Sequence, residues 1–198
     1  HPAYIRAREL VAAGMLGRIV LAQAQWAFGV RGRDGSPPRT PLTQWWDTPE
    51  LIGGASTMMG TGVHSVDLLR YFLGPLASVQ AVEGKRLQGL AVEDTVRLFA
   101  RTASDVMATV DLSWSLDKRL DYYLDVYGSA GTLRVGWRDS KHARNGSGGW
   151  VAFGTGYDKL AAFEAQLRNF ASALRGEEAL RITADDALAS VRVIEAAY

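Results

Sequence analysis

The sequence predicts an α+β fold in which an open, mostly antiparallel sheet of about six strands carries helices on one face. The first observation is the order of elements: helix, strand, helix, about five strands and two closing helices, which is not the alternation of a parallel doubly wound sheet. The second is short links such as Ala103-Ser104, which indicate hairpins and antiparallel pairing. The third is the alternation of apolar and polar residues over 105–114, which predicts a strand with one buried face.

Composition excludes several classes of function. The 198 residues carry 22 basic and 21 acidic side chains, and a net charge of +1 predicts neither a nucleic-acid nor a membrane partner. Cysteine is absent, which excludes disulfides, thiol nucleophiles and cysteine-based metal sites, and three histidines make a closed structural metal site unexpected. We find no apolar run of membrane-spanning length and recognise no signal peptide, so we expect a cytoplasmic protein.

The first half of the chain combines regular elements with one long loop. Its predicted elements are a helix over 2–13, a strand over 17–28, a loop over 29–52 and a helix from about Thr57 to Leu73. Pro2 suits the first position of a helix, and Gly14 suits the residue after its end. The density of proline and glycine in the loop opposes both helix and strand, and loops of this length are commonly functional.

The second half is predicted as strands followed by two helices. Strands are predicted at 77–88, 92–102, 105–114, 121–128 and 131–137, a polar, glycine-rich loop at 138–149, and helices at 159–175 and 184–198. The first of these helices has apolar residues at helical spacing, namely Leu160, Phe163, Leu167, Phe170 and Leu174. In the second we expect a buried stripe of Leu188, Val191, Ile194 and Tyr198.

One face of the predicted sheet has no helices to cover it. The residues expected on this open face are Met107, Thr109, Phe99, Arg97, Tyr123 and Tyr127. A broad face of mixed polarity is typical of an interface, and we expect a homo-oligomer to form through it. The alternative is a solvated face, which antiparallel sheets tolerate.

The segment Gly53–Asp67 holds four glycines, a histidine and an aspartate where a helix begins. On a helix Gly60, His64 and Asp67 share a face, so His64 belongs to a polar stripe. His64 is then a candidate general acid or base, because imidazole exchanges protons near neutral pH. The alternative is a histidine that ties the helix to a loop through Asp67 or a loop carbonyl. Gly60 and Gly62 each destabilise a helix by about 1 kcal/mol, which is explained if something approaches the backbone closely.

Two glycine patterns look like nucleotide-binding motifs but do not qualify. Gly60-Thr61-Gly62 and Gly154-Thr155-Gly156 both lack the third glycine, and no strand precedes the first. We therefore predict no cofactor-binding residues in this chain. His64 and Asp67 would supply two metal ligands without a third, so no metal site is predicted.

Tryptophan and arginine residues form a second group of candidates. In the long loop, Trp46 could stack on a sugar ring, and Arg31 could bind hydroxyls or carboxylates. Trp114, at a strand end, could form part of the rim of a pocket. The alternative for a loop tryptophan is to anchor the loop to the core, and for a strand-end aromatic it is packing.

Several short motifs occur in order along nearly the whole chain. They are Gly17-Arg18-Ile19, Trp46-Asp47, Gly53-Gly54, Gly62-Val63-His64, Asp67-Leu68-Leu69-Arg70-Tyr71, Leu73-Gly74, Gly128-Ser129-Ala130-Gly131-Thr132-Leu133, Phe163 through Phe170, and Ile182-Thr183-Ala184-Asp185-Asp186-Ala187. This ordered set resembles the substrate domain of the Gfo/Idh/MocA oxidoreductases. The resemblance implies a fold like the C-terminal domains of dihydrodipicolinate reductase and glyceraldehyde-phosphate dehydrogenase.

The resemblance also implies a nicotinamide-dependent oxidoreductase that acts on a sugar, polyol or related alcohol. In that family an N-terminal Rossmann domain holds NAD or NADP and the catalytic lysine. We expect residues 1–198 to be the C-terminal substrate-binding and oligomerisation domain alone, unable to bind the cofactor and inactive in isolation. By position, His64 matches the catalytic histidine and Asp67 a carboxylate that binds substrate hydroxyls. Trp46, Arg31 and Trp114 are the further substrate-binding candidates.

The sequence departs from the family pattern at Gly60, where an aspartate usually precedes the histidine by four residues. That carboxylate would orient the imidazole and stabilise its positive charge. Either Asp67 or the substrate takes over this role, or catalysis is impaired. The alternative function is therefore a non-catalytic sugar-binding or dimerisation module of the same fold.

Overall fold

The structure is a computed structural model that describes residues 1–27, 40–42, 45, 48–53 and 57–198. Its contacts define two compact units, of which unit 1 comprises His1–Val20 and Asp121–Ala189, and unit 2 comprises Leu21–Leu120 and Ser190–Tyr198. The helices are α1 Pro2–Ala12, α2 Pro49–Ile52, α3 Val63–Leu73, α4 Lys159–Leu174 and α5 Ala184–Ala197, and a π-helical turn, Met58–Gly62, precedes α3. The strands are β1 Ile19–Ala27, β2 Leu76–Glu83, β3 Thr95–Thr102, β4 Met107–Ser113, β5 Tyr122–Gly128, β6 Gly131–Gly136, β7 Asp139–Arg144 and β8 Val151–Thr155.

The predicted α+β class with an open, mostly antiparallel sheet is confirmed, with eight strands among the described residues rather than about six. In unit 2 the strands lie in the order β2-β3-β4-β1. The pairs β2–β3 and β3–β4 are antiparallel, whereas β1 and β4 are parallel, with Trp26 opposite Leu112. A parallel pair needs a long crossover, and the chain from β1 to β4 provides it.

Unit 1 contains an antiparallel meander in the order β5-β6-β7-β8. The prediction of a loop over 138–149 is wrong, because Asp139–Arg144 forms β7, and β8 was also missed. β7 is polar, and its pairing comes from a neighbour, with Lys141 opposite Arg134 of β6. Helix α1 packs on β8, where a Cβ on Gly154 would lie 3.2 Å from the Cβ of Ala3. Gly154 therefore serves close packing between helix and strand.

In unit 2, α3 packs on β4 and buries Val66 and Leu69 completely. The helix predicted from Thr57 to Leu73 is confirmed, but its first part is a π turn rather than regular α-helix. Part of the predicted loop is also helical, because Pro49–Ile52 forms the short α2, which ends at Gly53 with φ +74°. Among the described residues no helix is long and apolar enough to cross a membrane.

The open face of unit 2 agrees with the sequence prediction. Phe99 and Met107 are 45% and 46% exposed, Arg97 is exposed and Thr109 is partly exposed. Tyr123 does not belong to the open face, because it is 1% exposed in the core of unit 1, where its hydroxyl donates to the Tyr4 hydroxyl at 2.9 Å. A β-bulge between Tyr122 and Leu124 shifts the alternation there.

The stripe expected in α5 is only partly buried. Ile194 is fully buried and Val191 partly buried, whereas Leu188 and Tyr198 are 45% and 59% exposed. The apolar spacing therefore predicted the helix correctly but not how much of its apolar side is covered.

Candidate functional site

His64 lies in the first turn of α3, immediately after the π turn, and its side chain is exposed. Such π turns frequently occur at functional sites. The ring of Trp26 in β1 faces the imidazole, with ring centroids 6.1 Å apart and planes inclined by 59°. Within the described part of the chain, no residue forms a hydrogen bond with His64. Both ring nitrogens can therefore bind a ligand or exchange a proton with it.

Close packing of the π turn on the sheet positions His64. A Cβ on Gly62 would lie 2.7 Å from the Leu112 side chain and would also overlap the sulfur of Met58. Trp26 is opposite Leu112 in the neighbouring strand. Gly62 thus lets the helix approach the β1–β4 pair closely, and two residues later His64 meets the Trp26 ring. The close approach expected at the Gly62 backbone is therefore made by core side chains of the protein itself.

The start of this helix rests on a buried carboxylate. Glu93 is 2% exposed, and its Oε1 accepts hydrogen bonds from the Met58 amide at 2.9 Å and from the Tyr198 hydroxyl at 3.2 Å. The Thr57 hydroxyl donates to the Glu93 carbonyl at 2.8 Å. Burial, followed by the negative charge of Glu93, raises the pKa of Tyr198, so the phenol stays protonated and able to donate. Sequence reasoning missed Glu93, because its partners Met58 and Tyr198 lie far from it in the chain.

The same arrangement tests whether Gly60-Thr61-Gly62 could hold a dinucleotide. Such a motif offers free amides at a helix N-terminus to a pyrophosphate. Here the Met58 amide already binds the Glu93 carboxylate, Gly62 is buried against Leu112, and the Thr61 hydroxyl accepts from the Trp114 indole at 3.0 Å. These groups are already bound or buried within the protein, so this stretch does not fit the cofactor.

Asp67 lies one turn after His64 and is partly exposed. The Ser190 hydroxyl donates to its Oδ1 at 3.3 Å, and Arg70 Nη1 lies 3.9 Å from the same oxygen. Arg70 also donates to the Ser190 hydroxyl at 2.8 Å. Asp67 therefore belongs to a network with Arg70 and Ser190 rather than bonding to His64. Ser190 had no signal in the sequence, because only the fold brings α5 beside α3.

Of the three remaining predicted site residues, the structure describes only Trp114. Trp114 is 7% exposed, and its indole N–H is bound to Thr61. Its amide donates to the Asp94 carbonyl at 2.8 Å, so it has a clear packing role, and its contact with substrate stays a prediction. Arg31 and Trp46 lie outside the described residues. In the part of the chain that the structure describes, no group of three or more side chains could hold a metal ion.

Chemically, the site combines an exposed imidazole, an aromatic ring facing it, and a carboxylate one helical turn away. The imidazole can accept a proton from a hydroxyl group. The indole ring can cover an apolar face of a small ligand, and the carboxylate can accept a hydroxyl hydrogen bond. Such a set suits a small polyhydroxylated compound.

Comparison with known families gives a match over residues 4–134 to the family described as "GFO/IDH/MocA C-terminal domain". No curated protein matches the sequence.

Solved structures show the same fold. Levoglucosan dehydrogenase in complex with NADH and L-sorbose superposes with a TM-score of 0.82 and 17% identity, over 99% of this chain and 61% of that one. An NAD binding oxidoreductase from Klebsiella pneumoniae gives 0.81 and 16%, over 99% and 60%. Aldose-aldose oxidoreductase from Caulobacter crescentus complexed with glycerol gives 0.78 and 22%, over 98% and 57%. The chain thus spans about three fifths of the length of these structures.

Proposed function

The chain belongs to the GFO/IDH/MocA C-terminal domain family, and from that premise we propose that it is the substrate domain of a nicotinamide-dependent oxidoreductase. The substrate class is a sugar, a polyol or a related alcohol. The observation that carries the proposal is the exposed His64, which faces Trp26 and has no hydrogen bond to a described residue. A histidine retained only to tie helix to loop would be expected to use a ring nitrogen for that bond.

Oxidation of an alcohol to a carbonyl needs an acceptor for the hydride on carbon and a base for the hydroxyl proton. In this proposal His64 is the base, and the Trp26 ring excludes water on one side of it. Asp67 accepts a hydrogen bond from a neighbouring substrate hydroxyl, and Arg70 and Ser190 hold its carboxylate in place. Trp114, Arg31 and Trp46 complete the substrate-binding set predicted from the sequence.

The hydride acceptor, NAD or NADP, is bound outside this chain, in an N-terminal Rossmann domain of the same protein. The Glu93 carboxyl group at the helix start supports this division, because it already occupies the Met58 amide that a pyrophosphate would need. The relatives described with NADH or as NAD binding are longer than this chain, which leaves room in them for such a domain. Residues 1–198 then act as the substrate-binding and oligomerisation domain, and the cytoplasmic location expected above is part of the same proposal.

The experiment compares His64→Ala with His142→Ala in the complete gene product. Reduction of NAD⁺ and NADP⁺ is followed spectrophotometrically with a panel that includes levoglucosan, L-sorbose, aldoses and polyols. Loss of a general base lowers kcat/KM by about 10²- to 10⁴-fold, whereas His142, in β7, should leave it within about threefold. Unchanged kcat/KM in His64→Ala would remove His64 from the chemistry. Turnover by the isolated 198 residues would contradict the proposal that a separate domain binds the cofactor.

Oligomerisation through the open face is proposed with it. Exposed Phe99 and Met107 lie beside Arg97 on this face of β3 and β4, a mixture of apolar and charged groups that suits an interface. Phe99→Asp should shift the mass in solution, measured by light scattering, towards the monomer. The matched surface variant Val151→Asp should not, and an unchanged mass in Phe99→Asp excludes this face.

The second candidate is a non-catalytic sugar-binding or dimerisation module of the same fold. Gly60 favours it, because the carboxylate that would support the imidazole is missing and Asp67 binds Ser190 instead. An enzyme and a non-catalytic binding module would both bind the ligand, so only a measurement of turnover distinguishes them.

A further inference from the structure

Helix α4 presents its apolar side to solvent. Five large apolar residues at positions i, i+3, i+7, i+10 and i+14 form what we name the α4 stripe: Leu160, Phe163, Leu167, Phe170 and Leu174, which are 82%, 51%, 67%, 53% and 74% exposed. This spacing places them on one side of the helix along its whole length. Single exposed apolar residues are ordinary, but a continuous row of this length marks an interaction surface.

The opposite side of α4 is the side attached to the rest of unit 1. Asn169 is the buried residue of the helix; its side chain donates to the Ala179 carbonyl at 2.9 Å and accepts from the Arg181 amide at 3.0 Å. The shallow groove between α4 and the segment after it is lined on the helix by Ala161, Glu164, Ala165, Arg168 and Asn169. The helix is thus held by polar contacts, with its apolar row turned outward.

The helix is well formed at its N-terminus, so the row is not the product of a frayed segment. Asp158 caps the first turn, accepting from the Ala161 amide at 3.0 Å. Helical stability in proteins comes mainly from packing of the apolar side, and here that packing is missing within the described residues. A docked partner surface would provide it.

We propose that the α4 stripe is the docking surface for the nucleotide-binding domain of the same protein. This inference rests on the proposed function, which places such a domain outside residues 1–198. The relatives match over 99% of this chain yet extend well beyond it, since the chain spans 61% of the first of them, so they contain a further region of domain size. A region that docks on the stripe would present an apolar surface of its own.

Cysteine labelling tests the proposal, because residues 1–198 contain no cysteine. In the complete gene product, Leu167→Cys places a thiol on the stripe, and Ala165→Cys places one on the other side of the same helix, also exposed. With a maleimide reagent, Leu167→Cys should react at least tenfold more slowly than Ala165→Cys, both introduced into the Phe99→Asp variant, which light scattering should show to be monomeric. Leu160→Cys is a second reporter should Leu167→Cys fail to fold, and peptide mass mapping assigns the labelled site.

Equal rates at the two positions would overturn the proposal, since the stripe would then be free. Protection that disappears on dilution to the monomer would also overturn it, because a second copy would then be the occupant. The rates do not depend on turnover. A His64→Ala enzyme that keeps its kcat/KM but has a protected stripe would therefore contradict the proposed catalysis and still support the docking surface.

Discussion

The Met58 amide donates a hydrogen bond of 2.9 Å to the carboxylate of Glu93, 35 residues later in the chain. The helix that carries His64 therefore begins on a buried carboxyl group supplied by the segment before β3. This contact couples the position of the candidate catalytic residue to the core of unit 2, and it occupies the helix N-terminus with a carboxylate.

We expect Glu93→Gln to destabilise the protein by about 1–2 kcal/mol, because a charge-assisted hydrogen bond is roughly twice as strong as a neutral one and the buried amide gains unmatched donors. Glu9→Gln is the control: Glu9 forms an exposed ion pair with Arg6, whose loss changes stability by about 0–1 kcal/mol. Urea unfolding followed by circular dichroism measures both. Equal stability of the two variants would show that the Glu93 contact does not hold the helix.

The glycine at the end of the π turn is expected to be irreplaceable for steric reasons. Gly62→Ala places a Cβ 2.7 Å from the Leu112 side chain and against the Met58 sulfur, and overpacking of this kind destabilises by about 1–3 kcal/mol. The displaced helix would also move His64 from Trp26, so kcat/KM should fall. Gly148→Ala, which has no heavy atom within 4 Å of the new Cβ, is the control. A Gly62→Ala melting temperature equal to that of Gly148→Ala contradicts the packing argument.

The helix over 57–73 illustrates what the sequence could predict of the site. Local patterns identified the helix, its end at Gly74 and the position of His64, because glycine and apolar spacing act over a few residues. The π turn, the Glu93 contact and the Ser190 contact to Asp67 arise between residues far apart in the chain, so no local pattern predicts them. β7 was missed for the same reason, since polar residues such as Lys141 join a sheet through the neighbouring strand.

Helix α4 shows a second limit of sequence reasoning. Periodicity locates an apolar side correctly, as Phe163 and Leu167 demonstrate, but it does not say what that side packs against. A stripe facing the core of its own unit and a stripe facing a partner have the same spacing.

Stability should depend on the charge of Asp111 near pH 4. Burial alone would raise the pKa of this carboxyl, but the hydrogen bond from Arg97 (Nη2 to Oδ2, 2.8 Å) and the charges of Lys118 and Arg97 outweigh it and hold the pKa below its usual value. A lowered pKa in the folded state stabilises the protein at pH values above the unfolded pKa, and this contribution is lost as pH falls through the folded pKa.

Asp111→Asn should therefore be destabilising by about 1–3 kcal/mol at neutral pH, with a difference from the parent that shrinks below about pH 4. Asp105→Asn is the control, because the Asp105 carboxylate is 78% exposed and its ion pair with Arg101 contributes about 0–1 kcal/mol. Urea midpoints between about pH 3 and pH 8 measure the dependence. If the difference in urea midpoint between Asp111→Asn and the parent stayed constant across that range, the charge of Asp111 would not contribute to stability.

Gly60→Asp tests whether the missing carboxylate limits catalysis. Gly60 lies in the π turn before His64, and an aspartate there would support a positively charged imidazole as a triad aspartate does. In an intact but impaired oxidoreductase, kcat should rise by about tenfold or more, since lowering the activation free energy by about 1.4 kcal/mol through charge stabilisation raises the rate tenfold. Gly60→Asn, which adds the same bulk without the charge, should give no gain. If kcat rises in neither variant while calorimetry still shows substrate binding, the non-catalytic module is favoured. A site that only binds its ligand does not need a base, so a carboxylate that supports the imidazole would not change its function.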